Sequence, residues 1–335
     1  MKEIWVAGYP SKYGGADTEL WHNCILWRRF NIDVNLVPMY GKDREVSGWC
    51  DRIGCKTHQY NPAIFKDKVL VSYCNGEFLK QLPKIMTSGR PKKVIWHNTM
   101  TYCFESEKNA HQQGWIDYFG FVSNYQEGWI RPKLEKIKPV QKLEGYIPYF
   151  DIDDGLYQED RTTKTFNMGR VSRDDPNKFS MDMWKIFYKV CAPRPTKTFV
   201  LGWSKKVAAR CGAAPDGLDW MVYAPNAIPV RQLYHMVHAI IHKTGGSRES
   251  YCRIVPEAYA HGCVMIAEDD YAFPDLIVNG ETGFRCKTSD EMSYRASEVA
   301  FNPDLRLRIV RNAREFLRDS ISNPDKAIEA WEAVL

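Results

Sequence analysis

Nowhere in the 335 residues does an apolar run reach the roughly 20 positions that a bilayer-crossing helix needs. The opening segment, MKEIWVAGYP, has no basic region followed by a cleavable apolar stretch and goes straight into a strand-like pattern. These absences predict a soluble, cytoplasmic protein, with peripheral contact to a membrane left open. Charge of one sign is also scarce. The net value is +5, and the basic runs are short: Arg90–Lys93, Arg131–Lys138 and Lys205–Lys206. Such runs are ordinarily solvated faces, although clustered cations also suit nucleic acid or an anionic membrane. No short-period repeat or low-complexity tract is present, which excludes repeat architectures. A disulfide framework is missing too: the ten cysteines are scattered, and apolar surroundings such as those of Cys191, Cys263 and Cys286 predict buried reduced thiols. Cys50, Cys55 and His58 have ligand-like spacing but no second half to complete a zinc site, so no metal is expected there. Gly8, Gly14 and Gly15 do not fit the G-x-G-x-x-G fingerprint, which counts against a nicotinamide-dependent dehydrogenase.

What is present is a chain with 44% apolar residues, enough to bury a sizeable core and long enough for two medium domains. The first half alternates β-rich runs (EIWVAGY, DVNLVPM, KVLVSY, KKVIWHN, YFGFVSN) with helical patterns, and the second half repeats the scheme with KTFNMGR, KTFVLGW, HAIIHK and CVMIAED. That alternation predicts crossover units and parallel sheets, an α/β chain of two doubly wound domains. The polar, acidic stretch Pro148–Lys164 reads as a linker. The expected domains are 1–155 and 156–317, and a last helix at about 318–335 is compatible with either.

Ligands of open α/β sheets bind beyond the carboxyl ends of strands. After the first strand, Gly14 and Gly15 allow close backbone approach ahead of a helix start, where Asp17 and Glu19 suit the positive end of the dipole. After the first strand of the second half, NMGRVSRDDPNKF carries Arg170, Arg173 and Lys178, cations suited to a diphosphate. In GGSRESYCRIVPEAYAHG, Pro256 suits a first helical turn and Gly262 a left-handed stop, predicting a helix over about Val255–His261. Glu257 then lies in that first turn, able to accept from vicinal hydroxyls such as a ribose offers. Glu249 lies upstream in the loop, with the amides of Tyr251, Cys252 and Arg253 between the two acids.

This E-x7-E arrangement resembles the retaining glycosyltransferases of family 4, which have the GT-B fold of two Rossmann-like domains with an interdomain cleft. Gly14-Gly15 is similar to the family's N-terminal glycine pair, Arg173 and Lys178 to its donor-site Arg/Lys pair, and VNGETGF (Val278–Phe284) to the turn that follows; FVSNYQEGW and EGYIPYFDID resemble the segments before the domain crossover. The resemblance implies that Glu257 binds the ribose of a nucleotide sugar, Glu249 the transferred sugar, and Arg173 with Lys178 the diphosphate, Arg170 being the alternative cation. It also implies that His97, in VIWHNTM, hydrogen-bonds the donor sugar. The chain departs from the family's Gly-Phe-Gly at Ser250, Tyr251 and Cys252, where the backbone has less freedom.

The implied activity is transfer of a sugar, UDP-glucose or another UDP-sugar being the leading donor, to an acceptor hydroxyl with retention at the anomeric carbon. It requires no cofactor or metal, since preorganised cations and amides stabilise the leaving diphosphate. A glycan, a lipid or a small molecule is the leading acceptor. Hydroxylated bases in DNA are the alternative, as is a sugar-nucleotide-binding protein without turnover. The tryptophans of the first half (Trp5, Trp21, Trp27, Trp96, Trp115, Trp129) are expected mostly in the core.

Overall fold

The computed structural model describes residues 2–11, 14–39, 44–161 and 163–335, without the side chains of 44–47. Lys12 and Tyr13 of the first glycine turn and Thr162 of the acidic stretch lie outside the described residues. The chain forms two compact units: residues up to Asp151 together with Ser320–Leu335, and Ile152–Asp319.

The first unit holds a six-stranded parallel sheet of β1 (Glu3–Ala7), β2 (Asp33–Val37), β3 (Lys56–Thr57), β4 (Val69–Tyr73), β5 (Lys93–His97) and β6 (Tyr118–Gly120), in the order β3-β2-β1-β4-β5-β6. Side chains alternate across it: Ile4 and Val6 join one buried cluster, Trp5 and Ala7 another. Both faces are therefore covered, as a doubly wound sheet requires. The second unit repeats the plan with β7 (Phe166–Val171), β8 (Thr196–Leu201), β9 (Trp220–Tyr223), β10 (Ala239–His242), β11 (Val264–Glu268) and β12 (Gly283–Cys286), all parallel, in the order β12-β11-β10-β7-β8-β9. Read from the other end, this is the same winding. Each sheet reverses direction once, between β1 and β4 in the first and between β7 and β10 in the second, and such switch points open a crevice at the strands' carboxyl ends.

The helix Pro324–Glu332 packs with the first unit. Trp331 is fully buried and meets Trp27, of the helix Gly15–Arg29, edge to face at 4.8 Å. The acidic stretch is no loose tether: Arg161 is buried and donates to the carbonyls of His261 and Gly262, the former contact very short. Cys263 and Cys286 are buried, but Cys191 is exposed, against expectation, because it falls in the connection between the helix Met183–Tyr188 and β8, and connections run over the surface. Cys50 and Cys55 are core thiols, while the His58 ring stacks on Trp5 and pairs with Asn35 at 2.9 Å. Trp5, Trp27 and Trp96 are buried; Trp129 is exposed beneath the Lys133 ammonium.

Burial pushes four histidines down, His97 to about 3 and His238, His242 and His261 to about 4. Below their ordinary value the unfolded chain therefore takes up protons that the native chain does not, and stability is lost as pH falls. Burial acts in the opposite sense on Glu107 and Asp17, raised to about 7 and about 6. His58 and His235 are also lowered and Glu257 and Glu268 also raised, six groups against four, so the melting temperature should fall as pH is lowered from about 6.5 to about 4.5 in calorimetry. A flat or rising trend would contradict four neutral buried rings.

Candidate active site

The site is built at the β7/β10 switch point. Beyond β7 the segment Ser172–Asp175 leads into a turn, Pro176–Lys178, capped by the Asp175 carboxylate accepting from the Asn177 amide at 2.9 Å. An Asp-Pro pair sets such a turn because the carboxylate satisfies a free amide and proline presets its own φ. Beyond β10 the loop from Thr244 to Arg253 runs alongside. The amides of Gly245 and Ser247 donate to the Asn177 carbonyl at 2.9 and 3.0 Å. Only glycine fits at 245, since a Cβ there would lie 2.1 Å from the Phe179 carbonyl oxygen.

This approach brings together two residues 71 positions apart: the Lys178 ammonium donates to Glu249 Oε1 at 3.0 Å. Glu249 is 8% exposed, and the ring of His242, the last residue of β10, lies 3.4 Å from the same oxygen. Burial alone would raise the Glu249 carboxyl, but His242 and then Lys178 hold it down at about 2. It is a carboxylate at neutral pH. Both contacts fall on Oε1; among the described residues nothing donates to Oε2.

Arg170, in β7, is 1% exposed. Its guanidinium donates to His242 Nδ1, to the Val171 carbonyl at 2.7 Å and to the Lys178 carbonyl, the first and last contacts being very short. These three contacts turn the terminal nitrogens of Arg170 toward the ring behind Glu249 and the Lys178 backbone, while its Nε has no partner among the described residues. Arg173 is exposed in the segment after β7, on the approach to Lys178.

The helix Ile254–His261 begins at Arg253, carries Pro256 and Glu257 in its first turn, and ends at Gly262 with φ 74°. Tyr259, Val255 and Ala258 bury its inner face. The Tyr234 hydroxyl donates to Glu257 Oε2 at 2.7 Å, and among the described residues nothing donates to Oε1. Burial raises the Glu257 carboxyl, an effect the Tyr234 hydrogen bond opposes. Between the two acids, Cys252 has φ 63°, the left-handed region. A non-glycine residue there costs about 1–2 kcal/mol, a penalty that glycine would not carry. Among the described residues the Cys252 amide has no acceptor. A left-handed residue followed by right-handed Arg253 at a helix entry presents successive amides to one concavity, which suits an anion. Tyr251 and Arg253 are buried beside it.

His242, Glu249 and Cys252 lie close enough to suggest a metal site, their candidate donor atoms within 4.8 Å of one another. That set is already committed. Arginine only donates, so His242 Nδ1 accepts from it and Nε2 carries the proton, while Glu249 is held by Lys178.

In the first unit, Gly14 has φ 91° and caps the helix Gly15–Arg29 at the β1/β4 switch point. Glu19 is buried, taking a very short hydrogen bond from the Tyr146 hydroxyl. His97 closes β5. Its ring is 0% exposed, stacked on Tyr73 at 4.3 Å, tilted against Tyr146 at 4.4 Å, and backed by Gly120, where a Cβ would come 2.0 Å from the ring. Neither ring nitrogen has a hydrogen-bond partner among the described residues. In this structure the ring packs as part of the core.

Sequence reasoning missed His242, Tyr234 and the supporting place of Arg170. The one available signal was a histidine closing an apolar strand, HAIIHK, beside a charged loop.

No protein-family model matches the chain, and no curated protein matches it in sequence. Solved structures do match in fold. HepE of Anabaena, in complex with UDP and glucose, has a TM-score of 0.71 at 12% identity over 100% of this chain and 99% of that one. A TarM variant of S. aureus, in complex with fondaparinux, alpha-GlcNAc-glycerol and UDP, has 0.78 at 11% identity over 100% and 99%. A glycosyltransferase from Rickettsia africae has 0.72 at 14% identity over 99% and 97%. The likeness shows the GT-B fold of two Rossmann-like domains.

Proposed function

We propose that the protein is a retaining glycosyltransferase that moves a sugar from a nucleoside diphosphate, UDP-glucose or another UDP-sugar, to an acceptor hydroxyl on a glycan, a lipid or a small molecule. The observation that carries this reading is the 3.0 Å pairing of Lys178 with Glu249 at the β7/β10 switch point, beside a helix whose first turn carries Glu257. The GT-B fold, shared with structures described as holding UDP, is consistent with it.

Charge builds on the departing diphosphate oxygen as the bond to the anomeric carbon breaks. Lys178, Arg173 and the amide of Cys252 supply fixed positive potential for it, and preorganised charge of that kind is the main source of rate. Glu249 Oε2 is open to a hydroxyl of the transferred sugar, and Glu257 Oε1 to the ribose. Glu249 is already paired with a cation, so the acceptor attacks from the face that the diphosphate leaves, its proton passing to the leaving oxygen. No step is assigned to a metal.

The test is a melting-temperature screen of UDP, UDP-glucose and related nucleotide sugars, followed by an assay of UDP release. A ligand bound only by the native state raises the melting temperature, by RT ln(1 + [L]/Kd) in free energy. UDP-sugars are expected to shift it and to be turned over, with release abolished in Glu249→Ala. A flat screen would remove the reading. Binding without release in the presence of acceptors would mark a binding protein instead.

A further inference from the structure

We infer that His242, braced by Arg170, is a positioning residue that clamps Glu249 through one carboxylate oxygen and reserves the other for the donor sugar. This rests on the sugar-transfer reading above. Arg170 stands on β7 and His242 at the end of the neighbouring β10, both almost wholly buried. The guanidinium can only donate, so its contact with Nδ1 fixes the ring as the Nε2–H tautomer. That proton points to Glu249 Oε1, 3.4 Å away, where the Lys178 ammonium also arrives at 3.0 Å.

Two donors converging on one oxygen fix the carboxylate plane and leave Oε2 as the unused acceptor. The same guanidinium donates to the Lys178 carbonyl, so one buried group orients both the ring behind the acid and the backbone of the lysine before it. A loop carboxylate held by the lysine alone would be free to turn about that single contact. Loops position reacting groups less well than strands unless such braces lock them. The ring is neutral at working pH, since burial and then Arg170 push it down to about 4, so its hold on Glu249 is a hydrogen bond rather than a charge.

The charged and titratable groups facing the pair and its brace are Lys178 from the turn after β7, Arg170 from β7, Cys252 and Glu257 from the following loop and helix, and Glu268 from β11, whose charge reaches Arg170. In a variant without the ring's donor, Lys178 still holds Glu249 down but the His242 contribution is gone, so the carboxyl titrates at higher pH. The acid limb of the rate profile then moves to higher pH.

The experiment compares His242→Leu with His242→Gln, whose amide nitrogen reaches the position of Nε2. Both are assayed with UDP-glucose for kcat, KM and pH profile, and with UDP alone for melting-temperature shift. His242→Leu is expected to lower kcat roughly 10- to 100-fold, the usual loss when the partner of a ligand-holding group is removed. Its KM and its response to UDP alone should stay near wild type, and its acid limb should rise. His242→Gln should recover most of the rate and the wild-type limb. Equal losses in both variants without a limb shift would overturn the inference, as would an unchanged kcat in His242→Leu. Nitrogen NMR of the wild-type ring reads the proton directly and needs no turnover: a proton on Nε2 upholds the clamp, and one on Nδ1 overturns it. If the wild type neither binds nor turns over a nucleotide sugar, the transfer reading alone falls and the ring proton still decides the clamp.

Discussion

Replacing Lys178 by methionine is expected to reduce kcat for sugar transfer about 10²- to 10³-fold, the loss seen when one preorganised electrostatic donor is removed from a developing negative charge. Methionine keeps most of the stem and deletes only the ammonium. Two consequences follow from the geometry. The leaving diphosphate loses a fixed cation, leaving Arg173, which is exposed and therefore screened, and the Cys252 amide. Glu249, 8% exposed, is left with the His242 hydrogen bond alone, so its carboxyl is held down less strongly and some stability is lost with the ion pair. The measurement is steady-state UDP release with the melting temperature read in parallel, so that lost catalysis is separated from lost folding. A Lys178→Met enzyme that is folded and as active as wild type would refute the assignment of Lys178 to the diphosphate. Because an uncharged substitute cannot restore the potential, the loss should appear in kcat and kcat/KM together.

Trp331→Ala should destabilise the first unit by about 3–5 kcal/mol, the range for truncating a fully buried tryptophan. Trp331 sits at an aromatic junction: edge to face on Trp27 at 4.8 Å, with the His97 ring at 5.5 Å and Tyr146 at 5.8 Å. Little there can collapse into the void, because β5, β6 and the helix Gly15–Arg29 are anchored by the sheet. For a unit of this size the melting temperature should drop by roughly 10 °C. Calorimetry of the variant decides: a change under about 2 °C would show that the Pro324–Glu332 helix is not part of that core. The truncation also opens space beside His97, so its ring should become accessible to water and its titration rise from about 3 toward the ordinary range.

Much of the fold was legible because its signals are local. Runs such as EIWVA, KVIWH and VMIAE are buried on both faces, and continuous apolar runs mark parallel strands whatever lies beside them. Proline in the first turn and glycine after the last likewise located the helix Ile254–His261 almost to the residue. The edge strands β3 and β9 escaped. β3 has two residues and β9 presents Trp220 and Met221 to solvent, so neither has the buried pattern that identifies a strand. In the site, Glu249, Lys178 and Glu257 could be singled out because charge in a glycine-flanked loop or a helix's first turn is visible in one dimension. The surroundings of Arg170 and His97 were not legible, for a shared reason. Each follows an apolar run at a strand's end, and whether such a side chain points into a crevice or back into the core depends on neighbours far away in sequence.

By itself, then, the order of residues determined the strands, the helix ends and the acids and bases able to handle a sugar diphosphate, since backbone propensity and side-chain chemistry are properties of short segments. Only the tertiary structure decided that β7 lies against β10, that Lys178 meets Glu249 across 71 residues, and that His242 stands behind the acid. Strand adjacency arises from packing whole crossover units against one another, and no segment carries that information alone.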